Sequence, residues 1–119
     1  MNDQQQLQVR TRTFALRVIR LAEALPKART ADVIGRQLLR SGTSVGANYH
    51  SACRARSKGE FVAKMGIVEE EADECAYWME LLAESGVVKP ERLGALMREA
   101  NEIAAMVVAS IRTARRRGE

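Results

Sequence analysis

The side chains of this chain that could do chemistry are mostly charged, with a single histidine and two cysteines among them. His50 is the single histidine, three residues before Cys53, which puts both on one helical face. Imidazole and thiolate bind zinc, but two ligands do not make a site, and Glu70, Glu71 or Glu74 would have to complete it. Bundle di-iron proteins use Glu-x-x-His pairs on facing helices. Position 47, three before His50, is Ala47, so that pattern fails. The run Glu69-Glu70-Glu71, with Asp73 and Glu74, could supply an acid–base pair. Such a run serves equally as a solvated face or as counter-charge for arginine. No Gly-rich phosphate loop joins a strand to a helix. No catalytic residue, metal or cofactor is assigned, and a metal-dependent enzyme is the weakest of three functional readings.

The basic residues are the strongest candidates. Arg10, Arg17, Arg20 and Lys27 follow one flank of the first helical segment. Arg36 and Arg40 are four apart on the second. Arg54, Arg56 and Lys58 cluster after it, and Arg112, Arg115, Arg116 and Arg117 crowd the end of the chain. Side chains of this kind bind phosphates by charge, with strong salt dependence and little sequence preference. Stacking on single strands needs aromatics among the cations, and only Tyr49 lies near a basic cluster in sequence.

Net charge is +4 but unevenly spread. Residues 1–58 hold eleven Lys/Arg against three Asp/Glu, and residues 59–88 hold one Lys against eight Asp/Glu. A nucleic-acid surface is one reading of that asymmetry. Neutralisation of basic helices by the acidic one is the other.

Four helical segments must position these groups, at about 8–25, 30–56, 58–85 and 90–115. In the first, Phe14, Val18, Leu21 and Leu25 form an apolar stripe that Pro26 ends. The second begins near Thr30 as N-cap, and its stripe runs Ile34, Leu38, Ser41, Val45, Asn48, Ala52, Ala55. Half of that stripe is small or polar, which lets neighbours approach closely, and Gly42 and Gly46 allow a kink. Asn48 at such a seam is a register-setting residue. The third opens on a capping-box sequence, Ser57 to Glu60, just before Phe61. Met65, Val68, Ala72, Cys75, Met79 and Leu82 continue the stripe to Ser85-Gly86. The fourth has Pro90 in its first turn and Leu93, Leu96, Ala100, Ile103, Val107, Ile111 and Ala114 along one face. With no strand alternation and short connections, the expected fold is all-α: one domain over 1–119, an antiparallel up-down four-helix bundle.

Apolar residues also lie off the stripes. Leu16 and Ile19 fall nearly opposite Phe14 and Val18, while Ile67, Trp78 and Leu81 share one flank of the third helix. A flank that carries the sole Trp points to a buried oligomer interface. Two isolated cysteines make no disulfide framework, so a cytoplasmic location is expected. Neither a signal peptide nor a membrane span is expected.

The segment Arg40-Ser41-Gly42-Thr43-Ser44-Val45-Gly46-Ala47-Asn48-Tyr49, then Ser57-x-x-Glu60-Phe61, then Glu70-Glu71-Ala72-Asp73-Glu74 and Trp78, resembles the four-helix-bundle family named for the 23S rRNA intervening-sequence protein. That family also includes the accessory variability determinant of diversity-generating retroelements. The resemblance spans about Phe14 to Arg116. It implies a homopentameric assembly of antiparallel bundles, no established catalytic activity, and, in the retroelement member, nucleic-acid binding through a basic surface. The residues it carries over, Arg40, Ser44, Asn48, Ser57, Phe61, Glu71 and Trp78, are expected to determine fold and assembly. The chain departs from the family at His50-Ser51, where members often carry an acidic or bulky residue. The leading expectation is a non-enzymatic oligomer that binds nucleic acid, and the alternative is a scaffold for a protein partner such as a polymerase.

Overall fold

A computed structural model describes residues 1–117. Four helices follow one another: α1 (Asp3–Glu23), α2 (Arg29–Ala52), α3 (Lys58–Glu84) and α4 (Pro90–Arg117). Each packs on the next, α4 returns to α1, and the diagonal pairs do not pack. Short turns between consecutive neighbours make the bundle antiparallel and up-down. It is rod-shaped, 51 × 22 × 21 Å.

The core is the sum of the four stripes. Phe14, Val18, Leu38, Val45, Met65, Val68, Cys75, Met79, Leu82, Leu93, Ile103 and Val107 are fully buried. Leu7 and Thr11 extend the stripe of α1 toward its N-terminus. Burial at four- and three-residue intervals is what folds each amphipathic helix, because isolated helices of this length are marginal in water.

Several boundaries differ from the sequence reading for local reasons. α1 starts five residues earlier than expected because Asn2 caps it: its side chain accepts from the Gln5 N–H at 2.8 Å, and the Gln5 side chain accepts from the Asn2 N–H at 3.1 Å. α2 is capped not by Thr30 but by extended Ala28, with no side-chain bond. It ends at Ala52 rather than 56, where Arg54 and Ala55 N–H groups bond three residues back in a tightened turn. Ser57 accepts from the Glu60 N–H at 3.1 Å, the first half of the expected capping box. After α3, Gly86 takes φ +80°, and its N–H reaches the Ala83 carbonyl.

The helix–helix spacing is set by glycines on one side of α2. A Cβ on Gly42 would meet the Val18 side chain at 2.6 Å, and one on Gly35 would meet Leu25 at 2.8 Å. At Gly46, the Thr11 carbonyl lies 3.4 Å from where a Cβ would sit. α2 is helical throughout Gly42 to Gly46, so these residues serve close approach to α1. The opposite flank of α2 meets α3, where buried Ser41 donates to the Gln37 carbonyl at 3.0 Å and accepts from the Cys75 thiol at 3.3 Å. Burial pushes the pKa of that thiol up to about 11, despite the Ser41 bond, so it stays protonated at neutral pH. Asn48 does not reach across to another helix. Its side chain donates to the Ser44 carbonyl at 2.9 Å and to the Ser44 hydroxyl at 2.8 Å, within α2.

Two glycine substitutions should therefore have opposite signs. Gly66 has open space around its Cβ position. Gly66→Ala should gain about 0.5–1 kcal/mol from helix propensity. Gly42→Ala should lose about 1–3 kcal/mol net, because β-branched Val18 cannot yield without shifting α1. Urea unfolding at one fixed protein concentration checks both.

Candidate nucleic-acid interface

Up-down topology brings the N-termini of α1 and α3 and the C-termini of α2 and α4 to one end of the rod. That end collects Arg54, Arg56 and Lys58 from the α2–α3 turn with Arg112, Arg115, Arg116 and Arg117 from the last turns of α4. A direct bond ties the two groups together: the Lys58 ammonium donates to the Arg115 carbonyl at 3.0 Å. The cations also suit the negative ends of the α2 and α4 dipoles. Among the described residues none of these seven takes part in a salt bridge, and all are exposed.

The other basic candidates divide. Arg10 crosses from α1 to α4, its Nε 2.9 Å and Nη2 2.6 Å from the two Glu99 carboxylate oxygens. Nη2 also lies 3.0 Å from Glu102, and Nη1 lies 3.2 Å from the Met106 sulfur. The fork-to-fork geometry is the strong form of this pair. Hydrogen bonding to Arg10 holds the Glu99 carboxyl below the usual carboxylate range, against the opposing effect of partial burial. Arg40 crosses from α2 to α3, where it pairs with Glu71 at 3.2 Å and with Glu74. Arg36 pairs with Asp32 one turn back, 2.9 Å away, with both side chains exposed, a contact worth little. Arg10 and Arg40, read from sequence as phosphate contacts, are thus held by carboxylates of neighbouring helices. Of the other two candidates on α1, Arg17 is half-buried and contributes to the field that lowers the Glu99 pKa, while Arg20 is exposed.

The acidic run acts as counter-charge at two positions, Glu71 and Glu74. Glu74 also accepts from the Trp78 indole N–H at 2.9 Å, so Arg40, Glu71, Glu74 and Trp78 form one α2–α3 network. Trp78 meets Tyr77 edge-on, with ring centroids 5.0 Å apart. None of the off-stripe apolar residues is fully buried, although Trp78 packs against the edge of the core. Leu16 and Ile67 are exposed, and Ile19, Trp78 and Leu81 are half-buried. Val9, Val33 and Tyr77 are further exposed apolar side chains that the periodicity argument passed over. His50 is exposed, Cys53 is half-buried, and no group of three or more potential ligands is close enough for a metal among the described residues.

Two features of this region escaped the sequence reading. One is the partnership of Arg10 with Glu99 and Glu102, for which the three-residue spacing of those glutamates on one helix face was a usable signal. The other is a cavity at the basic end, where Phe61 joins Tyr49.

The family model described as "23S rRNA-intervening sequence protein" matches residues 4–109. A solved structure of a protein with unknown function from the S23 ribosomal protein family of Bacteroides thetaiotaomicron superposes with a TM-score of 0.88. The two are 31% identical, over 93% of this chain and 99% of that one. No curated protein matches the chain.

The Arg10–Glu99 pair makes stability pH-dependent in a defined direction. The folded-state pKa of Glu99 is lowered, so its contribution is present above the ordinary carboxylate pKa and is lost as pH falls through the lowered value. Arg10→Met should flatten that acid limb relative to the parent chain in urea titrations across the series. An unchanged acid limb would mean that the pair does not fix Glu99.

Proposed function

Starting from the fact that the chain belongs to the 23S rRNA-intervening sequence protein family, a family of helical bundles of unknown function, we propose that it binds RNA or DNA phosphates, as a non-enzymatic oligomer, through its Arg-rich end. The observation that carries this reading is the Lys58–Arg115 bond, which merges two basic clusters far apart in sequence into one surface. Carboxylates at the helix seams take up Arg10 and Arg40, and leave this end with a large excess of positive charge. Such a surface fits a phosphate backbone, with little need to read bases. Each further copy in an oligomer would repeat the patch and multiply the effect.

The apolar flank formed by Ile67, Trp78 and Leu81 supports self-association, and the family resemblance supports five copies. The two cysteines are both unpaired, which suits a reducing cytoplasm. The same flank also favours a second reading, a scaffold whose repeated faces hold a protein partner without binding nucleic acid.

Two charge-reversal pairs separate the basic surfaces. Arg115→Glu with Arg116→Glu should weaken binding to a structured RNA at least about tenfold and lower the salt slope by roughly 1.5–2. Arg17→Glu with Arg20→Glu should have a smaller effect. Fluorescence anisotropy at several salt concentrations measures both, and unaltered affinity in both variants contradicts the proposal.

Assembly has its own test. Trp78→Glu places a charge in the proposed contact, beside Glu74, and should convert the oligomer to a folded monomer in light scattering coupled to size exclusion. An intact oligomer would remove Trp78 from the interface.

A further inference from the structure

A cavity of about 290 Å³ opens at the basic end of the rod, among all four helix termini. Leu7, Tyr49 and Phe61 supply its apolar lining, while Asp3, Gln4 and Ser110 supply polar groups. Tyr49 is fixed there: its hydroxyl donates to the Gln4 carbonyl at 3.3 Å, and burial, the largest cause, raises its pKa well above the ordinary tyrosine value. Phe61 is half-buried, so part of its ring stays accessible. Ala55, which also lines the cavity, sits between Arg54 and Arg56, and Lys58 is one turn of helix before Phe61.

The contents of the cavity differ from those of its surroundings. Phosphate is a poor occupant, because the Asp3 carboxylate lines the wall. A flat, neutral, aromatic group suits it better. The accessible part of the Phe61 ring offers stacking, with buried Tyr49 as the floor behind it, and carboxylate and amide oxygens accept from exocyclic amines. The volume lies at the lower edge of the range of small-molecule pockets, which suits one base rather than a whole nucleotide. The cations outside would hold the phosphates on either side of that base.

We propose that this cavity takes one unpaired, amine-bearing base of a bound strand, so that the basic end prefers single-stranded or bulged nucleic acid to a continuous duplex. The inference rests on the phosphate-binding reading above and adds the class of strand. Bases within a continuous duplex are stacked and paired, and insertion would first have to extract one.

The test compares a labelled single-stranded oligocytidine of about a dozen nucleotides with a G·C duplex of the same length. Both are titrated against the full-length chain, Phe61→Leu and Ser110→Leu. Phe61→Leu removes a ring but keeps apolar bulk, and Ser110→Leu fills the cavity from α4. The parent chain should bind the single strand more tightly. Each variant should weaken single-strand binding by roughly 5- to 100-fold, the range for loss of one stacked base, and leave duplex binding unchanged. The unchanged duplex affinity reports that the variant is folded and its cations are in place. Equal binding of the two nucleic acids by the parent chain, or a single-strand preference that survives both variants, would overturn the cavity proposal and leave phosphate binding intact. Failure of the parent chain to bind either nucleic acid would overturn both.

Discussion

The close approach of α1 to α2 across Gly42 and Gly46 is the constraint from which much of the arrangement follows. With no Cβ at these positions, Val18 and the Thr11 carbonyl rest almost on the α2 backbone. A Cβ at Gly42 would run into β-branched Val18 and force the two helices apart. The tight seam holds α1 close to α2, and α1 packs more sparsely on α4 than any other neighbouring pair does. Arg10 closes that thinner seam, with its guanidinium on Glu99 and Glu102. One side of α1 is therefore held by steric fit and the other by charge.

Charge is distributed on the same logic. Carboxylates of α3 and α4 take the arginines that point across seams, Arg40 and Arg10, and the Arg10 pair ties the first helix to the last. The cations of the α2–α3 turn and of the last turns of α4 have no such partners among the described residues. Up-down connectivity then puts the α2–α3 turn and the C-terminus of α4 side by side, which turns two sequence clusters into one surface. The net charge of +4 understates that surface, because the excess is local.

Much of this was legible in the sequence. The stripes of α3 and α4 are uninterrupted, and their boundaries fall within two residues of the structure because Ser57, Gly86 and Pro90 are unambiguous signals. Low side-chain bulk along α2 announced a close helix contact. The start of α1 was obscured because Gln5 completes a capping box as well as Glu would, within an otherwise uninformative Gln run. The end of α2 was obscured because the apolar period runs on through Ala55 while the backbone has already turned. Asn48 illustrates a deeper limit. Its position on the stripe predicts a partner on another helix, but Ser44 one turn back offers two acceptors at no cost in reach. Which basic residues are neutralised was equally hidden, since the pairs Arg10–Glu99 and Arg40–Glu74 exist only once the helices are aligned.

The family to which the chain belongs and the structural likeness to the Bacteroides thetaiotaomicron protein agree on the bundle and leave its role open. The central claim is local, namely that nucleic acid is held at one end of the rod. Amide hydrogen exchange of the full-length protein, with and without a structured RNA, tests it most directly. Turns and helix ends open more readily than helix centres, so contact at the α2–α3 turn and the last turn of α4 is readily seen. The account predicts added protection at residues 53–58 and 110–117, and little change in the opposite turns at residues 24–28 and 85–89. Protection confined to those opposite turns or to the outer face of α3, or none at a concentration that saturates the RNA, would contradict it.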